Sequence, residues 1–147
     1  MSQEHAYKHV LVALDINDHF QPILDKAIVV AKRHEAKLSV IHVDMNLRDL
    51  YTEMVDIDVE RVQRKVLTDT KAKLDAILSG VQYPIERSMV MCGDLVEEIN
   101  QVIEVEHIDM LVCGHHQSFW SLLTSAARQL MNTVPCDMLV VPVKTNN

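Results

Sequence analysis

The sequence predicts a single α/β domain, residues 1–147, on a five-stranded, mostly parallel, doubly wound sheet with strand order 3-2-1-4-5 and four main helices. Five short apolar and β-branched runs alternate with segments whose apolar residues recur at helical spacing, which is the pattern of strand–helix–strand units with right-handed crossovers. The length of 147 residues and the hydrophobic fraction of 48% suit one domain with a full core.

Charge and hydropathy exclude two classes of partner. The formal net charge of −7 argues against sequence-independent binding of nucleic acid, which requires a patch of Lys and Arg. The apolar run at residues 10–14 is too short for a signal peptide or a membrane span. We therefore expect a cytoplasmic protein that binds neither nucleic acid nor a membrane.

The three cysteines, Cys92, Cys113 and Cys136, form no CxxC pair. In the predicted strand order Cys92 and Cys113 end strands that lie roughly 14 Å apart, at about 4.8 Å per strand, so they cannot form a disulfide within one subunit. We interpret all three as small apolar side chains of a reducing compartment.

The first half of the chain predicts strands at residues 9–15 and 37–44. The helix between them runs to about His34, with Asn17 and Asp18 available as N-caps. Its apolar face is formed by Ile23, Leu24, Ala27, Ile28 and Ala31.

A long exposed connection is expected at residues 45–57, with a short helical turn around 47–51. Asp58 then caps a long helix, which Ser79 and Gly80 end. The apolar stripe of this helix contains Val59, Val62, Val66, Leu74 and Ile77.

Residues 85–92 predict a strand with enough polar side chains to suit the edge of the sheet. Asp94 and Glu97 resemble a capping box for the next helix. That helix presents Leu95, Ile99, Val102 and Ile103 on one face.

The last predicted unit is a strand at residues 110–113, a turn at 114–117, a helix at 122–132 and a strand at 138–143. If the first strand borders the fourth, winding reverses between them and a crevice opens above Asp15. The crevice is the expected location of a ligand site.

Several titratable residues cluster at the carboxyl ends of the first, second and fourth strands. They are Asp15, His42, Asp44, His115 and His116. Their atoms suit metal binding or acid–base chemistry, but the paired short spacing of structural zinc sites is absent from the sequence. We interpret them as loop and strand-end residues that hydrogen-bond to the backbone, and we predict no metal.

Nucleotide binding is the more serious candidate, because glycines let a loop approach phosphates closely. The chain has three glycines, Gly80, Gly93 and Gly114, and neither GxGxxG nor GxxxxGK[ST] occurs. Gly80 ends a helix, so Gly114 is the glycine left at the crevice.

Much of the chain resembles the universal stress protein family, and its A-type members in particular. The similar features are YKHVLVALD at residues 7–15, LSVIHVDMNLRDLYTEMVDID at 38–58, CGHHQSFWSLLTSAARQLMNTVPCDMLVVPV at 113–143 and the Gly93-Asp94 turn. The resemblance implies a cytoplasmic, homodimeric α/β protein linked to survival under stress, nutrient limitation or growth arrest.

The family resemblance also bears on ATP. Members that bind ATP carry G-x2-G-x9-G-[ST] after the fourth strand and an aspartate after the first, which Asp15 matches. Gly114 matches the first glycine, but the other three positions hold Gln117, Ala127 and Arg128. Each Cβ restricts the backbone where phosphates would lie, so we predict a non-enzymatic protein without cofactor that acts through protein contacts.

The alternative is a nucleotide-dependent switch or weak ATPase with Asp15, Gly114 and Arg128 at the ligand, since a guanidinium can bind phosphate bidentately. Flavin electron transfer is suggested by fold alone, which does not fix function.

We also predict a homodimer. The last apolar run, from Met138 to Val143, carries no charge and would be an adhesive edge if left open, so it is expected to pair with its counterpart. Phe119 and Trp120 either fix their loop or anchor an unknown protein partner.

Overall fold

The computed structural model describes residues 6–17, 19–43, 59–91, 95–115 and 130–143. Its strands are β1 (His9–Leu14), β2 (Lys37–Val43), β3 (Ile85–Met91), β4 (Met110–His115) and β5 (Asp137–Pro142). Its helices are α1 (Gln21–His34), α2 (Val59–Leu78) and α3 (Leu95–Val105), and residues 130–133 are also helical, at the end of the fourth predicted helix.

The five strands form one sheet in the order β3-β2-β1-β4-β5, and all neighbouring strands are parallel. The predicted strand order is therefore confirmed, with β3 at an edge as its polar residues indicated. Within the described residues, no helix combines the length and the apolar character needed to cross a membrane.

The core lies on both faces of the sheet. One face packs against α1 and the second half of α2, and its fully buried side chains include Val12, Leu24 and Leu74. The other face packs against α3 through Leu11, Ile99 and other apolar residues. Because β1 is covered on both faces, all six of its residues are buried, which explains its nearly continuous apolar sequence.

The start of α1 differs from the prediction. Its N-cap is Phe20, which makes no side-chain cap, and the Phe20 carbonyl accepts hydrogen bonds from the N–H groups of Ile23 and Leu24. Pro22 in the first turn has the fixed φ that a helix start requires, which replaces the predicted cap from Asn17. Asp18, the other predicted cap, lies outside the described residues.

The end of α2 agrees with the prediction, since the helix ends at Leu78 and the Ser79 hydroxyl donates to the Ala76 carbonyl at 2.7 Å. The caps predicted at Asp58 and Asp94 lie outside the described residues, as do the connection at 45–57 and the helix at 122–129.

Candidate functional site

The winding of the sheet reverses between β1 and β4, as predicted. Pairing of these two strands extends to Val12 and Val112, and the chain then continues toward Asp15 on one side and Gly114 on the other. Crevices at such switch points are the usual ligand sites of open α/β sheets. The structure therefore places two of the residues predicted to bind a nucleotide, Asp15 and Gly114, at the carboxyl ends of neighbouring strands.

The carboxylate of Asp15 shapes the turn that leaves β1. Its Oδ1 atom accepts a hydrogen bond from the Asn17 N–H at 2.9 Å. A side-chain acceptor two residues before a backbone donor is an Asx turn, and it fixes the local path of the chain. This contact gives Asp15 a structural role that needs no ligand.

His42 supports the same turn from the neighbouring strand. Its ring is fully buried, and its Nδ1 atom accepts a hydrogen bond from the Ile16 N–H at 3.2 Å. An accepting Nδ1 places the ring proton of the neutral imidazole on Nε2. The nitrogen that faces the turn is thus occupied by the backbone, which is the interpretation that the sequence favoured over a metal ligand.

Gly114 differs from its prediction in a way that matters for ligands. We expected it in the turn after β4, but it lies within the strand and pairs with Val141 of β5. A Cβ atom added to Gly114 would lie 2.2 Å from Ile23 Cδ1 and 2.9 Å from Ile23 Cγ1. The missing side chain therefore makes room for Ile23 of α1.

The remaining predicted residues are described only in part. His115 ends β4, so the turn predicted at this residue is also wrong, because pairing with Pro142 extends the strand. Asp44, His116, Gln117, Ala127 and Arg128 lie outside the described residues, as do Phe119 and Trp120. Among the residues that the structure does describe, no group of three His, Cys, Asp or Glu side chains is placed to hold a metal ion.

One contact at the crevice was not predictable from the sequence. The Nζ atom of Lys73, on α2, donates to the side-chain oxygen of Asn17 at 3.3 Å. This contact joins the β1–α1 turn to α2 through two residues that are 56 positions apart in the sequence. No local pattern connects these positions, so only the packed sheet brings them together.

Of the three cysteines, the structure describes Cys113 and Cys136, and these two thiols lack the features of reactive sites. Burial raises the pKa of Cys113 to about 12. Burial, helped by the carboxylates of Asp137 and Asp109, raises the pKa of Cys136 to about 11. A thiol with such a pKa holds very little of the nucleophilic thiolate at neutral pH.

We therefore expect slow alkylation of the native thiols. At pH 8, iodoacetamide should modify Cys136 at least tenfold more slowly than it modifies free cysteine, and Cys113 should react only after unfolding. Peptide mass spectrometry over a time course separates the sites, and the same protein in urea is the control. Rapid native labelling of Cys113 would contradict its buried, protonated state.

The sequence as a whole matches the model of the universal stress protein family over residues 6–142. The chain belongs to the universal stress protein family. This membership, which was expected from the sequence, supports a role in the stress response. The universal stress protein A homolog of Haemophilus influenzae is 46% identical over 138 residues, which cover 94% of this chain and 98% of that protein.

Solved structures of the family share the fold at low sequence identity. A universal stress protein in complex with cAMP has a TM-score of 0.56 and 20% identity, and the match covers 93% of this chain and 98% of that chain. A universal stress protein of Archaeoglobus fulgidus in complex with dAMP has a TM-score of 0.53 and 14% identity, covering 92% and 98%. At these identities the likeness shows the doubly wound fold.

Proposed function

We propose that this protein serves the stress response as a cytoplasmic, non-enzymatic protein that acts through contacts with other proteins and does not bind ATP. The observation that carries the proposal is the position of Gly114. It is the one residue that matches the phosphate-loop glycines of ATP-binding members, and its open side is filled by Ile23. The positions of the other two glycines and the hydroxyl hold Gln117, Ala127 and Arg128.

The rest of the crevice supports the same proposal. Asp15 and His42 both accept hydrogen bonds from the backbone of the β1–α1 turn. The described thiols have raised pKa values, so they are poor nucleophiles. A catalytic site needs a nucleophile or base within reach of a substrate, and these side chains are committed to structure or protonated.

Calorimetry with ATP tests the proposal. Purified protein should release no adenine absorbance on denaturation, and titration with ATP should give no heat of binding at millimolar ligand. The control restores the family pattern with Gln117→Gly, Ala127→Gly and Arg128→Ser in one chain, which should gain measurable ATP affinity. Tight ATP binding by the parent protein would refute the proposal.

A second candidate is a nucleotide-dependent switch or weak ATPase. Structural neighbours in complex with cAMP and dAMP favour it, because those ligands carry one phosphate and need no triphosphate loop. Asp15, Gly114 and Arg128 would then lie at the ligand. This candidate requires that dAMP or ATP binds and that Arg128→Ala weakens binding more than tenfold, or about 1.4 kcal/mol.

We also propose that the protein is a homodimer that pairs through β5. This strand lies at the edge of the sheet, its Val140 side chain is 38% exposed, and its sequence is apolar after Asp137. An uncovered apolar edge strand favours association, and pairing with a second copy would satisfy its free backbone groups.

Light scattering should therefore show a dimer at micromolar concentration. Val140→Lys should raise the dimer dissociation constant at least tenfold, because it places a charge beside the paired edge. Val29→Lys, at a site on α1 that is 42% exposed, is the matched control and should leave the dimer unchanged. A monomeric parent protein, or equal effects of both variants, would contradict the β5 interface.

A further inference from the structure

The two edge strands of the sheet differ in how regularly they pair with their neighbours. β5 pairs with β4 along the whole of Asp137–Pro142 without a shift in register. On the other side, Leu38 and Ser39 are consecutive residues of β2, but their partners on β3 are Ile85 and Arg87. β3 therefore contains one residue more than the strand beside it.

The extra residue is Glu86, and it makes a β-bulge in the edge strand. The packing of β3 agrees with this shift, because Ile85 and Val90 both pack against the core on the side of α1 and α2. In a regular strand, side chains five positions apart would lie on opposite faces of the sheet. The bulge therefore reverses the alternation of β3 between these two residues.

The contacts that follow the bulge do not need the extra residue. Ser88 donates to the Asp75 carboxylate of α2 at 2.7 Å. On the opposite face, Arg87 donates to the carboxylate of Glu106, directly after α3. A strand without Glu86 would pair regularly in the register that β3 already has on each side of the bulge, so both contacts would stay in place.

The surroundings of Glu86 are typical of a protected edge. Its exposed carboxylate lies 4.0 Å from the exposed Nζ atom of Lys37, and such surface pairs add little stability. Arg87 is exposed next to it, and Pro84 precedes the strand. Bulges, charges and prolines all hinder an edge strand from pairing with another chain. β5, in contrast, has no shift and carries no charge after Asp137.

We propose that Glu86 is a guard residue: its bulge prevents β3 from pairing with a second copy of this chain and thereby confines self-association to β5. The inference rests on the proposed dimer through β5. An incoming strand needs an even row of N–H and C=O groups, and a bulge interrupts this row and bends the strand. The extra residue thus has a role at the edge, where packing gives it none.

The strand order explains why such a guard matters. β3 and β5 lie at opposite edges of the sheet. A dimer joined through β5 keeps one β3 edge at each end of the combined sheet. If these two edges could also pair, every dimer would join two others, and the assembly would grow into an open chain. One protected edge keeps the assembly closed.

Deletion of Glu86 from the full chain tests the proposal. The variant should fold with a urea midpoint close to that of the parent, because its β3 would pair regularly in the existing register. By light scattering, its average mass should be at least twofold above that of the parent and should rise with concentration. A folded deletion variant with the mass of the parent would overturn the proposal. An unfolded one would contradict the claim that Glu86 is an extra residue.

Two control variants separate the bulge from other causes. Glu86→Ala removes the charge but keeps the residue count, so it should keep the mass of the parent. If it associated as strongly as the deletion variant, the charge would be the guard and the role of the bulge would be refuted. Deletion of Ser88 also removes one residue from β3, but it disturbs the alternation of the strand and should lower the urea midpoint well below that of the Glu86 deletion.

A combined variant shows which edge is responsible. Deletion of Glu86 together with Val140→Lys should stop at two chains, because β3 would pair while β5 would not. Growth beyond two chains in this variant would contradict association through β3. If the parent itself proved monomeric, the β5 dimer would fail, yet the Glu86 deletion alone should still form a dimer. The two proposals therefore fail separately.

Discussion

Replacing Gly114 with alanine is expected to lower the free energy of unfolding by about 1–3 kcal/mol, the usual cost of overpacking a well-filled site. The added Cβ would lie 2.2 Å from Ile23 Cδ1, which is far inside van der Waals contact. Ile23 is 2% exposed, so its side chain has little room to move away. Urea denaturation followed by circular dichroism measures the loss.

A double-mutant cycle identifies the contact responsible. Ile23→Ala alone creates a cavity and should cost about 2–5 kcal/mol. In the double variant the alanine at position 114 no longer meets the isoleucine, so the combined cost should be smaller than the sum by about 1 kcal/mol or more. Additive costs would show that Ile23 is not what limits position 114.

Gly80→Ala is the matched control for the glycine substitution. The nearest atom to a Cβ added there is the Ile77 carbonyl oxygen at 3.8 Å, an ordinary contact. We expect its stability to stay within about 0.5 kcal/mol of the parent, as at most exposed sites. The contrast between the two glycines also bears on function, because it tests whether Gly114 is required for packing in the absence of any ligand.

Leu74→Ala is expected to cost about 2–5 kcal/mol, the range for deleting a fully buried leucine. Leu74 is 0% exposed and belongs to the core between α2 and the sheet. The same substitution at Leu67, which lies in the first half of α2 and is only half-buried, should cost less than half as much. Chemical denaturation of both variants measures the difference.

The paired leucines test which half of α2 contributes more to packing against the core. A large loss at position 74 with a small one at 67 would mean that the second half of the helix anchors it. Equal losses would indicate that both halves of α2 pack equally well against the rest of the protein.

Local sequence patterns were sufficient for the architecture. Runs of apolar and β-branched residues predicted the five strands, and the polar side chains of β3, including Glu86 and Arg87, correctly indicated an edge. The apolar spacing of Ile23, Leu24, Ala27 and Ala31 predicted the buried face of α1. These features are readable because each depends on the periodicity of one element.

Element ends were predicted less well, because they depend on neighbours. The N-cap of α1 is Phe20 instead of the predicted Asn17, and the Phe20 carbonyl accepts hydrogen bonds from the N–H groups of Ile23 and Leu24. β4 continues through Gly114 and His115 because β5 offers Val141 and Pro142 as pairing partners. A strand extends as far as its partner's hydrogen bonds allow, and a single segment does not contain that information.

By itself, the sequence determined the family, the strand order and the departure from the phosphate-loop pattern, since all three are written in residue types and their spacing. Tertiary structure alone decided that Gly114 accommodates Ile23 and that His42 supports the turn after β1. Each of these depends on atoms from elements far apart in the chain, and only packing fixes the distances between them.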